Sequence, residues 1–158
     1  MKPFHVAETE IRQLQARYCD AVWRKDMASF ADCFTEDCEW RIEGQVNKGR
    51  KACMEFMAAQ FALTRCILIT LRTPILEVGD GIASGRTYFT AQNALLDKPP
   101  ITPIGMYYER FVDQGDRWRF TWRLFQSHYT GGPDMQGTFR DLPQYGAPPG
   151  MPPLDATR

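Results

Sequence analysis

Across residues 7 to 25 the apolar positions Ile11, Leu14, Tyr18, Ala21 and Val22 recur every three or four residues, with polar residues between them. That period yields one apolar face and predicts a first helix. Asp26 then suits the N-cap of a short second helix running through Phe34, because its carboxylate can accept from the unpaired N–H groups of a helix start. Met27, Phe30, Ala31 and Phe34 would form the buried side of that helix. At Cys38 the period changes. Cys38, Trp40 and Ile42 alternate with Glu39, Arg41 and Glu43, which predicts a half-buried strand stopping at Gly44. Helical spacing returns over residues 50 to 63, with Ala52, Phe56, Ala59 and Leu63 on one face and Cys53 and Met57 beside it.

From Arg65 onward the pattern is that of strands. Residues 66 to 77 are rich in β-formers and broken by Pro74, which fits an edge or a bulge. A Val78-Gly79-Asp80-Gly81 turn leads into a strand over 82 to 95. Three prolines mark 96 to 103 as a loop. Further strands are expected over 105 to 112 and 118 to 129. Helices followed by strands predict an α+β domain over residues 1 to 130, with N-terminal helices packed on the concave face of a curved antiparallel sheet. The Gly/Pro-rich segment 131 to 158 reads as a strap or tail of the same domain. Met135, Phe139, Leu142 and Tyr145 would dock it, and its last eight residues would be disordered.

Composition narrows the function. The 19 basic and 19 acidic residues cancel, and no block of like charge occurs, so neither nucleic acid nor an anionic membrane is an expected partner. No apolar run approaches the ~20 residues of a membrane helix. The five cysteines are odd in number and form no C-x-x-C pair. Reduced, buried thiols in a cytoplasmic protein fit better than a disulfide scaffold or structural zinc. No phosphate loop, metal-ligand spacing or nucleophile elbow occurs.

Four segments, ARYCDAVWRKD, FTEDCEWRIEG, TRCILIT and GDRWRFTWRLF, stand in an order that resembles the SnoaL-like family of the cone-shaped nuclear transport factor 2 group. The resemblance spans roughly residues 8 to 130. Relatives include scytalone dehydratase, bile acid 7α-dehydratase and hexachlorocyclohexane dehydrochlorinase. It implies a cofactor-free, metal-free lyase or isomerase, a pocket for a small hydrophobic or aromatic ligand, and a homodimer. In these lyases an Asp orients a proton-abstracting His. Those positions fall here on Trp23 and Cys66, so the usual pair is replaced. A tyrosine position falls on Tyr18 and a cationic one on Arg123, and both are kept. The steroid isomerase branch of the fold would place its tyrosine on Tyr18, its base near Ile42 and its second acid near Tyr107. A non-catalytic ligand-binding or accessory protein, of the oxygenase small-subunit kind, is the alternative.

Each candidate has a plainer reading. Tyr18 is either a donor to a ligand oxygen or a core tyrosine. Trp23 and Trp40 either line the pocket or only pack. Cys66 is a weak acid or an inert thiol. Arg123 would face the cone or, by the parity of Trp118, Phe120 and Trp122, point outward. His128 is a displaced base or a strand-end histidine. Tyr88 and Tyr107 are strand tyrosines placed to reach a cavity. His5, in the N-terminal arm, has no expected role. Asp20, Glu39, Arg41, Glu43 and Glu109 are mostly expected in solvent.

Overall fold

The helical N-terminal third lies against one large curved sheet. A computed structural model describes residues 2–140 of the chain. Helix α1 spans Phe4–Arg24 and α2 spans Met27–Asp32. Strands β1 (Phe34–Ile42) and β2 (Gln45–Lys48) form a hairpin, followed by α3 (Arg50–Leu63). The rest is β3 (Thr64–Leu71), β4 (Ile75–Val78), β5 (Ile82–Leu95), β6 (Ile104–Asp113), β7 (Trp118–Thr130) and the short β8 (Thr138–Phe139). Among the described residues no helix is long and apolar enough to cross a membrane.

The strand order is β2-β1-β7-β6-β5-β3, with β4 also on β5 and β8 on β7. The curved sheet is antiparallel as expected except at one pairing, where β1 runs parallel to β7. Strands β5, β6 and β7 alternate direction, so the neighbour of β1 fixes its sense, and that neighbour is β7. Pro74 falls in the break where the β5 edge passes from β3 to β4, consistent with its missing N–H donor.

Asp26 caps α2 as expected, accepting from the Ser29 N–H at 3.0 Å. Helix α1 ends on Lys25 in the left-handed region, and the Lys25 Nζ donates to the carbonyls of Phe61 and Thr64. The α3 face differs from expectation. Cys53 and Met57 are its buried residues, whereas Leu63 is exposed. The main core packs Ile11, Leu14, Tyr18 and Val22 of α1 against Phe30, Phe34, Trp40, Phe111 and Phe120.

Two register shifts shape β7. Arg110 pairs with Trp122 but Phe111 with Phe120, so Thr121 is an extra residue. Ile104 pairs with Tyr129 but Gly105 with Ser127, so His128 is a second one. Each bulge switches which residues face the helices.

Candidate functional site

The site begins with a polar cluster sealed between α1 and the sheet. Gln15 lies on the sheet-facing side of α1, Thr87 on β5, Glu109 on β6 and Arg123 on β7. All four are buried, and Glu109 and Arg123 have no exposed surface. The Gln15 amide donates to Glu109 Oε2 and to Thr87 Oγ1, each at 2.8 Å. Thr87 Oγ1 donates to the same Glu109 oxygen at 2.9 Å. Arg123 Nε donates to Glu109 Oε1 at 2.9 Å. The Arg123 Nη2 lies at the same distance from that oxygen, off the axis of a good hydrogen bond. A buried ion pair persists only when its remaining lone pairs are satisfied, and Gln15 and Thr87 do that for the carboxylate.

The guanidinium faces aromatic rings on its other sides. Its Cζ lies 3.9 Å from the Tyr107 ring centroid, 4.2 Å from Tyr18 and 4.4 Å from Phe120. Ring faces attract a desolvated cation. Burial works against the Arg123 charge, but Tyr18, Glu109 and Tyr107 outweigh it and hold the group protonated. Burial also disfavours ionisation of the phenols: it pushes the pKa of Tyr18 up, partly offset by Arg123, and pushes Tyr107 well above the ordinary phenol range. The two phenols also influence each other's ionisation. Both phenols therefore stay neutral and keep their protons.

Above this pair opens a cavity of about 630 Å³. Tyr18 and Tyr107 form part of its base. Trp40 and Ile42 of β1, Phe56 and Met57 of α3, and Ile67, Ile69 and Phe125 of the sheet give it apolar walls. Gln60, Asn93, Ser127 and Thr130 add polar groups, and Glu43 and Arg140 are its charged lining residues. Glu43 is its one carboxylate among the described residues; it sits in the β1–β2 turn with φ 51° and is exposed.

Of the residues singled out from sequence, Tyr18, Trp40 and Tyr107 line this cavity, and Arg123 lies directly behind the two tyrosines. The first β7 bulge brings Arg123 in. With Thr121 inserted, Trp118, Phe120 and Arg123 all face the helices, and Trp122 turns to the other side.

Four other residues singled out from sequence are not among the cavity's lining residues. Trp23 is half exposed at the end of α1, while Val22 lines the cavity instead. Cys66 follows an irregular pairing at the start of β3, and it is Ile67 and Ile69 that face the cavity. Tyr88 has the opposite parity to Thr87 and packs with Met106, Tyr108, Leu124 and Trp122 on the other face of the sheet. His128, the extra residue of the second bulge, is not among the lining residues; its neighbour Ser127 is. Glu109, one of five polar residues of which most are expected in solvent, is fully buried. Gln15 and Thr87 gave no sign in the sequence. The one available hint was Glu109 itself, set beside Arg110 within the mostly apolar run GMYYERFV.

A family model for SnoaL-like domains matches residues 6–123. With the cone of helices and sheet already described, this defines the class, and the chain belongs to the SnoaL-like domain family. Among solved structures, a candidate scytalone dehydratase from Novosphingobium aromaticivorans superposes with a TM-score of 0.77 at 17% identity, covering 87% of this chain and 94% of that one. A type 2 hexachlorocyclohexane dehydrochlorinase gives 0.74 at 18% identity, over 92% and 96%. A Mycobacterium tuberculosis protein of unknown function, Rv3472 carrying D26N, gives 0.68 at 26% identity, over 78% and 77%. No curated protein sequence matches the chain.

Proposed function

We propose that the cavity takes a small cyclic hydrophobic molecule, aromatic or polyketide-like, and that the protein acts on it as a cofactor-free lyase or isomerase. The observation that carries this reading is the stack Glu109–Arg123–Tyr18/Tyr107 at the cavity base. A ligand carbonyl or hydroxyl oxygen set against the tyrosine pair would accept a hydrogen bond from a neutral phenol. Charge developing on that oxygen would meet donors fixed in place before reaction, backed by a desolvated cation. Arg123 acts here as a positioning residue through the two rings. The proton at carbon would be moved by water or by Glu43, since His128 is not among the cavity's lining residues.

A second reading, a non-catalytic binding protein of the same fold, is favoured by one specific fact. The positions that resemble the lyase Asp and His carry Trp23 and Cys66, and neither lines the cavity. The two readings separate on an enolisable bicyclic ketone such as 2-tetralone in D2O, followed by proton NMR. The enzyme reading expects saturable acceleration of α-proton exchange and a loss of about 100-fold in Tyr107→Phe, the usual cost of one oxyanion donor. Saturable binding without acceleration would support the binding reading, and no binding of any cyclic ketone or phenol tested would sink both. A homodimer and a cytoplasmic site belong to the same proposal, and light scattering on the purified protein tests the first.

A further inference from the structure

Outside the polar stack, one pair of reactive side chains sits against the cavity walls. Cys38 Sγ on β1 and Cys53 Sγ on α3 are 3.6 Å apart, in direct contact. Both are free thiols and both are buried. Cys53 Sγ also donates to the Asn47 carbonyl at 3.7 Å. We infer that Cys38 and Cys53 form an oxidisable dithiol, and that joining them as a disulfide fixes α3 to β1 and alters what the cavity admits.

The placement gives the bond its consequence. Helix α3 has only two buried side chains, Cys53 and Met57. Cys53 is thus one of its two buried anchors, beside the partly buried Met54, Phe56 and Phe61, and one helical turn on, Phe56 and Met57 line the cavity. On the other side, Cys38 lies two residues before Trp40 and four before Ile42, which form the facing wall. Trp40 and Phe56 meet edge to face with centroids 5.4 Å apart. A covalent link between Cys38 and Cys53 therefore joins the two elements whose separation sets the width of the cavity. Residues of a strand and a helix that already touch need little backbone movement to be bridged.

Cys53 is the expected nucleophile. It sits in the first turn of α3, where the helix end favours negative charge. A hydrogen bond from the Cys38 thiol beside it lowers the pKa of Cys53 and favours its thiolate, while donation to that neighbour and burial raise the pKa of Cys38. Two thiols elsewhere differ: burial pushes Cys19 up to about 12 and Cys33 up to about 11. With a peroxide as oxidant, the Cys53 thiolate takes one peroxide oxygen as sulfenic acid and the other leaves as water after taking up a proton. Cys38 sulfur then attacks Cys53 sulfur, the S–O bond breaks, and the hydroxyl departs with the Cys38 proton as a second water. The two thiols lose two electrons and the peroxide gains them.

The full chain, fully reduced, is treated with hydrogen peroxide and then unfolded for thiol titration, intact mass and peptide mapping. The expected result is a fall from five titratable thiols to three, a mass loss of about two hydrogens, and a peptide linking Cys38 to Cys53. Dithiothreitol should reverse all three. In parallel, a hydrophobic fluorescent dye is titrated into the cavity, and its affinity should change at least about fivefold on oxidation, the low end of ordinary coupling between sites. Retention of five thiols, sulfinic acid at Cys53, or a bridge between other cysteines would overturn the proposal. An unchanged dye affinity in the bridged protein would overturn its effect on the cavity. Cys38→Ala should leave Cys53 unbridged. Should that variant not fold, the mapped peptide from the unmutated chain decides alone. Neither cysteine belongs to the tyrosine–arginine stack, so failure here leaves the proposed function standing.

Discussion

Glu109 and Arg123 show how far one residue's value depends on its partner. The pair is fully buried, and its worth lies less in attraction than in the cost of separating it. Arg123→Met would leave the Glu109 charge facing only Gln15 and Thr87. That variant should lose about 3–5 kcal/mol in urea unfolding. Adding Glu109→Gln should restore part of the loss by removing the unpaired charge, and a double variant no better than the single would show that ring packing, not charge, dominates. The tyrosines add a pH limit. Their folded pKa values lie above the unfolded value of ~10, so the folded state holds protons that the unfolded chain releases. Their contribution is fully present below pH ~10 and is lost as pH rises beyond it. Absorbance at 295 nm should show Tyr18 and Tyr107 ionising only together with loss of the folded circular dichroism signal.

At the scale of elements, β7 decides the site, and it was the least legible strand. Its alternation was plain from Trp118 onward, but a bulge adds a residue without any change in composition. Strict alternation through Trp118, Phe120 and Trp122 sends Arg123 outward, and Thr121 as an extra residue turns it in. The same limit applied to His128. By contrast, α3 and β5 were readable in extent because their periods run unbroken between a glycine or turn and a change of period. The β1 pairing could not be read, since parallel or antiparallel sense depends on which distant strand arrives beside it. The second bulge rests on close backbone approach: a Cβ on Gly105 would lie 1.9 Å from the Gln126 carbonyl oxygen. Gly105→Ala should therefore cost at least about 2 kcal/mol, in the range of overpacking, measured by chemical denaturation. If that variant unfolds at the same denaturant concentration as the parent, the close approach is relieved at little cost. A different clamp holds the far end of the strand. Arg119 reaches Asp32 at the end of α2 and Asp116 in the β6–β7 turn, each at 2.8 Å. Hydrogen bonding to Arg119 holds Asp116 down at about 2, and Arg119 likewise outweighs burial at Asp32. A depressed folded pKa gives stability that is present above the unfolded value of ~3.9 and disappears as pH falls toward 2. Acid titration should show that loss, and Arg119→Ala should weaken it.

For the whole molecule, the cavity is the dominant fact of energetics as well as of function. A dry void costs ~24 cal/mol per Å³. At about 630 Å³, that would amount to roughly 15 kcal/mol, as much as the entire stability of an ordinary domain. The space must therefore be filled by water or by a ligand. Filling it from the inside separates its two roles. Ala91 lines the cavity from β5, while Ala21 is fully buried in the α1 core and does not line it. Both are alanines, so the same substitution adds the same volume at each place. Ala21→Leu must push into close-packed neighbours and should cost about 1–3 kcal/mol. Ala91→Leu enters open space and should leave unfolding unchanged within about 1 kcal/mol, or raise it through added apolar burial. Its affinity for the cavity dye should nonetheless fall about tenfold, because the space that stability does not need is the space a ligand uses. Equal destabilisation by the two substitutions would mean that the walls around Ala91 close up in solution, and a pocket of that kind could not seat an oxygen against Tyr18 and Tyr107.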